Sequence, residues 1–165
     1  MKVSDILRVK GNALYTVTPA TPLLHAVQTM AQHDIGSLVV MEHGHPVGML
    51  TFSEVIAAIG AGAGSLGDQP VSARMDRDYE VCGPDATLDV LRRTMLDSGT
   101  RYIPVMQDDT LLGVISFRDV ARAIVREQDF ENQMLKAYIR DWPEDEGMPD
   151  ASGSPPPATL STRHG

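Results

Sequence analysis

The chain has 165 residues, 42% of them hydrophobic and 22% charged, an ordinary globular composition in which no apolar run approaches the roughly 20 residues of a membrane span. Its formal net charge is −8, half of it carried by five acids against Arg163 alone from residue 141 onward. With no basic run or basic helix face, this balance argues against direct contact with nucleic acid or an anionic membrane. The single cysteine, Cys82, excludes an internal disulfide framework and reads as a small, buried or half-buried apolar residue.

In chain order, residues 3–9 form a short leading segment of one or two helical turns. No apolar leader precedes it, so a cytoplasmic protein is expected. Residues 15–17 read as a short strand. Thr21 is placed to cap a helix with Pro22 in its first position, and Leu23, Leu24, Val27 and Met30 then recur at helical spacing to about His33. Gly36 breaks that pattern before a buried strand at 37–41. Residues 43–46 turn the chain into a return strand at 47–50, and Thr51 opens a second helix that runs to about Ile59. The order then repeats: a strand at 79–81, a helix at 88–96, a strand at 102–106, a turn at Asp108 and Asp109, a strand at 112–115 and a helix opened by Ser116. Each round is β-α-β-β-α, an α+β arrangement in which each small copy is expected to bury its helix face against the other.

The two rounds are copies of one sequence. Residues 19–59 lie on residues 84–124 at a constant offset of 65, with eleven identities over 41 positions. Chance matches roughly one position in sixteen at ordinary residue usage. A doubled unit implies pseudo-twofold packing with a cleft where the units meet, a favoured place for a ligand. The organisation expected is a first unit with its lead-in at 1–62, a linker at 63–70, a second unit at 71–126, an amphipathic helix at 127–142 and a disordered acidic, proline-rich tail at 143–165. Phe130, Met134, Leu135, Tyr138, Ile139 and Trp142 share one stripe of that last helix, suited either to packing on the chain's own body or to a dimer contact.

Gly62, Gly64 and Gly67 match G-x-G-x-x-G. They follow a helix and precede Pro70, whereas a dinucleotide loop follows a strand and opens a helix, so they read as linker. His43 and His45 lack the partners a metal site needs, and no nucleophile–base pair or facing pair of catalytic acids is evident; no metal site and no enzymatic activity are expected.

The residues with chemistry to offer stand where each return strand meets its helix: Gly48-Met49-Leu50-Thr51-Phe52-Ser53-Glu54 and Gly113-Val114-Ile115-Ser116-Phe117-Arg118-Asp119. Thr-x-x-Glu and Ser-x-x-Asp are helix-capping signatures. Beyond capping, free N–H groups at such a helix start attract phosphate, Ser116 and Arg118 can bind a phosphate oxygen, and Asp119 can accept ribose hydroxyls. Thr51 and Glu54 would do the same in the first copy.

This doubled unit, closed each time by Gly-apolar-apolar-Ser/Thr-x-x-acid, resembles a tandem cystathionine-β-synthase (CBS) domain pair over residues 3–124, and the chain as a whole resembles the small stand-alone CBS-pair proteins of bacteria. The resemblance implies an intramolecular pair, called a Bateman module, that associates into a homodimer and binds an adenosine-containing ligand such as AMP, ADP, ATP, S-adenosylmethionine or NAD. It also implies a regulatory output to an effector protein. The family's ribose-binding acid falls on Asp119, its phosphate-side hydroxyl on Ser116, and its adenine wall on Tyr102, Ile103 and Pro104, with Leu38 in the first-copy wall. Thr16 and Val81 belong to the short strands that line the pocket. Glu54 departs from the family's aspartate, and the first copy has no proline matching Pro104, so the second-copy pocket is expected to be the principal one. The alternative is a structural dimerisation or adaptor protein that takes no ligand.

Overall fold

The computed structural model describes residues 1–11, 13–62 and 66–140. Part of the expected linker, with Gly64, and the expected acidic tail, with Trp142, lie outside the described residues. Two units are distinguished, Met1–Arg126 and Glu127–Gly165.

The first unit is α+β. It runs α1 (Val3–Lys10), β1 (Thr16–Val17), α2 (Leu23–His33), β2 (Ser37–Glu42), β3 (His45–Thr51) and α3 (Phe52–Gly60). Single-turn 3-10 helices follow at Leu66–Asp68 and Val71–Ala73. The second copy supplies α4 (Leu88–Ser98), β4 (Tyr102–Gln107), β5 (Thr110–Ser116) and α5 (Phe117–Arg140). The last helix is therefore continuous from the second repeat into the C-terminal stripe. In the second unit, Phe130, Met134, Leu135, Tyr138 and Ile139 are all exposed.

The β2–β3 and β4–β5 hairpins carry a register shift at equivalent places, Val40/Met41 and Val105/Met106. The first closes through His43 (φ 52°) and Gly44 (φ 81°), the pair of positive φ angles that two-residue hairpins favour. β1 adds to β2 in parallel, Val17 beside Val40. The expected strand at 79–81 is not one. Only Cys82 bridges to Val105, through Cys82 N–H to Pro104 O (3.0 Å) and Met106 N–H to Cys82 O (2.8 Å). Upstream, Asp76 exchanges both backbone bonds with Met49 (2.9 and 2.8 Å), so between residues 76 and 82 the chain passes from β3 of the first copy to β4 of the second. The expected cap at Thr21 also differs: Pro22 takes the capping position, and Thr21 Oγ1 accepts from the Thr18 N–H (3.1 Å).

Each copy closes its own core, instead of burying its helix face against the other. One cluster holds Leu23, Ala26, Met30, Leu38, Val40, Leu50, Val55 and Ala58; the other holds Leu88, Leu91, Met95, Ile103, Val105, Ile115, Val120 and Ala123. These are the same eight positions at the offset of 65, so the repeat is written most strongly where side chains pack. Val39 and Met49 are buried but outside both clusters, on the opposite pleat of the first sheet, and the two sheets meet along β3 and β5.

Each core is completed from the other half of the sequence. Val3 and Ile6 of α1 enter the second core, and Val71 and Met75 enter the first. The backbone repeats the exchange bond for bond: Val3, Ser4 and Leu88 N–H reach Ala86, Pro84 and Met1 carbonyls, as Val71, Ser72 and Leu23 reach Thr21, Pro19 and Gln69. This explains the glycine in each return strand. A Cβ at Gly48 would stand 2.7 Å from Met75 Sδ, and one at Gly113 would stand 2.9 Å from Leu7 Cδ2. Glycine is what lets each crossing segment lie on the strand.

Candidate functional site

Thr51 ends β3 and caps α3, and Glu54 sits three residues on. The Thr51 N–H donates to Glu54 Oε2 (2.8 Å), the Thr51 hydroxyl bonds the same oxygen, and the Ser53 N–H donates to Thr51 Oγ1 (3.2 Å). This reciprocal box holds the start of α3 and fixes the carboxylate of Glu54, a residue that lines a cleft.

The cleft is about 600 Å³. Its walls come from three stretches: Met49, Thr51 and Phe52 to Glu54 of the first copy; Asp76, Asp78, Tyr79 and Glu80 of the crossing segment; and Ser98 to Tyr102 of the second copy. Tyr102 spans the halves, since a Cβ on Gly36 would land on its hydroxyl and would stand 3.0 Å from Phe52. The lining carries four acids, Glu54, Asp76, Asp78 and Glu80, and one guanidinium, Arg101. Burial raises the pKa of Tyr79. A second, apolar recess of about 160 Å³ lies among Val27, Met30, Ala31, Asp34, Ile35, Phe52 and Val55, so Phe52 borders both spaces.

The second copy of the motif is built alike and occupied differently. The Ser116 N–H donates to Asp119 Oδ2 (2.9 Å), and the Asp119 N–H donates to Ser116 Oγ (3.1 Å). The same Oδ2 takes a bond from Lys10 Nζ (2.7 Å), which also donates to Val114 O (2.7 Å). Burial opposes ionisation of Asp119; the Lys10 ammonium and the Ser116 N–H and hydroxyl outweigh it and hold the carboxyl below its ordinary value.

Of the residues singled out from the sequence, the cleft brings together Thr51, Glu54 and Tyr102. Ser116 and Asp119 meet Lys10, and Arg118 is exposed beside them at the start of α5. Leu38 and Ile103 lie in the two cores, Pro104 is buried in β4, and Thr16 and Val81 are exposed. Asp76, Asp78, Tyr79 and Arg101 were not legible as site residues. The signal was the dipeptide Val3-Ser4 recurring as Val71-Ser72 at an offset of 68, which marks the crossing segment that carries residues 76–80 to the cleft. Among the described residues, no three His, Cys, Asp or Glu side chains gather as metal ligands, and no helix is long and apolar enough to cross a membrane.

Comparison with known proteins points one way. The CBS domain family model matches residues 3–61 and again 71–126. The CBS domain-containing protein CBSX3, mitochondrial, of Arabidopsis thaliana is 32% identical over 148 residues, covering 84% of this chain and 71% of that protein. The crystal structure of the CBS-domain containing protein ATU1752 from Agrobacterium tumefaciens is similar with a TM-score of 0.71 and 31% identity, over 74% of this chain and 98% of that one. The CBS domain pair of protein MJ0100, solved in complex with 5′-methylthioadenosine and S-adenosyl-L-methionine, shares the fold at a TM-score of 0.68 and 21% identity, over 77% of this chain and 98% of its own.

Proposed function

The chain belongs to the CBS-domain family and carries two tandem copies, and from that premise we propose that it is a non-catalytic regulatory module whose cleft takes an adenosine-containing ligand. The observation that carries this reading is Tyr102 standing in the same 600 Å³ cleft as Thr51 and Glu54. An aromatic ring offers a face to a purine, and a carboxylate at a helix start accepts the two hydroxyls of a ribose. A space of this size suits a ligand of nucleoside dimensions. Glu54 receives the sugar, Tyr102 the base, and Thr51 and Ser53 the group beyond the sugar.

The charge of the lining narrows the class. With four acids against Arg101, a triphosphate is repelled along most of its length, whereas a sulfonium or an uncharged thioether is not. The ligands of the MJ0100 pair are of that kind. The second-copy set, Ser116, Arg118 and Asp119, is secondary in this reading. A ligand shifts the halves only by binding one arrangement better than another, and the output is an altered contact with an effector protein. Exposed Ile56 and Ile59 on α3, with Phe117 and Val125 on α5, give a homodimer its apolar faces.

Thermal melting with S-adenosylmethionine, 5′-methylthioadenosine, AMP, ADP, NAD and ATP tests the reading. A ligand at 100 times its Kd adds about 2.7 kcal/mol, and the thioether or sulfonium ligands should raise the midpoint more than ATP. Glu54→Gln, which still completes a capping box, should remove the shift. No shift from any of the six at millimolar concentration would instead favour a structural dimerisation or adaptor role.

A further inference from the structure

Two copies of one motif should make two equivalent sites, yet the groups beside the two acids differ. At the offset of 65, Glu54 matches Asp119 and Met49 matches Val114. Met49 is covered by the backbone of Asp76, and its neighbourhood is acidic. Val114 is covered by an ammonium: Lys10 Nζ lies 2.7 Å from Val114 O and 2.7 Å from Asp119 Oδ2. The Asp119 side chain is 13% exposed.

The cause is a difference in length between the two crossing segments. Val3 and Leu7 correspond to Val71 and Met75 at an offset of 68, so the first copy has three more residues before its repeat begins. α1 runs on to Lys10 before Gly11 (φ 92°) ends it, while its counterpart stops after one 3-10 turn at Val71–Ala73. The longer helix delivers a lysine to the acid of the second motif.

We infer that Lys10 is the specificity-determining residue that makes the two sites unequal. It takes up Asp119 Oδ2, one of the two carboxylate oxygens that a ribose's paired hydroxyls would need, so the resting chain takes a hydroxyl-bearing ligand at Glu54 alone. The ammonium brings a full opposite charge to the carboxylate and a second bond to Val114 O, neither of which a neutral sugar hydroxyl supplies in its place. This inference rests on the reading of the first cleft given above, and removal of Lys10 should expose a second site that the repeat already encodes.

Isothermal titration of the full chain with S-adenosylmethionine and with 5′-methylthioadenosine decides the matter. The unsubstituted chain should take a single equivalent, lost in Glu54→Gln. Lys10→Met, which keeps the stem and drops the charge, should take a second equivalent, as should Lys10→Gln. Lys10→Met combined with Glu54→Gln should keep a single equivalent, weakened at least about tenfold by a further Asp119→Asn, as expected for loss of a charged acceptor. Two equivalents in the unsubstituted chain, or none gained in either folded Lys10 variant, would overturn the inference and leave the first cleft standing. If the unsubstituted chain binds neither probe, gain of binding in Lys10→Met supports Lys10 as the occupant and removes the first-cleft reading. Silence in both chains removes both.

Discussion

The carboxyl of Asp119 titrates below its ordinary value because the Lys10 ammonium and the Ser116 groups outweigh its burial. A depressed pKa means stability that is complete above the ordinary carboxylate range, near pH 4, and lost as the pH falls through the folded value. Lys10→Met should therefore cost about 1 kcal/mol at pH 7, the upper end for a partly exposed pair, and less at pH 2. Urea unfolding at the two pH values checks this, and a cost unchanged by acid would refute it. Cys82 moves the other way: burial raises its thiol to about 11. Native protein at pH 8 should react with iodoacetamide at least about tenfold more slowly than unfolded protein, as thiolate fraction dictates. Single residues such as these are poorly legible in a sequence. Ser-x-x-Asp announces a cap, but nothing in it announces a lysine 109 positions away.

The elements were legible where their residues repeat. Leu23/Leu88, Met30/Met95, Val40/Val105 and Val55/Val120 are identities of the alignment and members of matching cores, so helices and hairpins could be placed from periodicity alone. The short strand at 79–81 was misplaced because its pattern does not show that pairing with β4 is confined to Cys82, six residues after Asp76 bonds Met49. The crossing of the lead-ins escaped for a related reason, since α1 looks like a preface to the first copy and its apolar residues serve the second. Ile6→Ala, at a position 6% exposed, should cost about 2–4 kcal/mol. The loss should appear in hydrogen exchange as earlier opening of α4 and β4, while α2 and β2 keep their protection. Equal loosening of both halves would contradict separate cores. Gly48→Ala, facing Met75 Sδ at 2.7 Å and the Asp76 carbonyl at 3.2 Å, should cost about 1–3 kcal/mol by overpacking.

For the whole molecule, the doubled pattern foretold a pair with a cleft between its halves. The two motifs have unlike neighbours, acids beside Glu54 in that cleft and a lysine beside Asp119, a difference that the likeness of the copies conceals. Light scattering should find a dimer, and Ile56→Glu on the exposed face of α3 should shift it toward monomer; an unchanged mass would remove that face from the contact. The exchanged lead-ins carry a further consequence. Scission between residues 62 and 66 would yield two pieces, each holding a rib that belongs to its sibling's interior and lacking the rib it needs itself. Neither piece should fold in isolation, and mixed together they should reassemble, so that the halves behave as obligate complements, not as modules that could be shuffled one at a time.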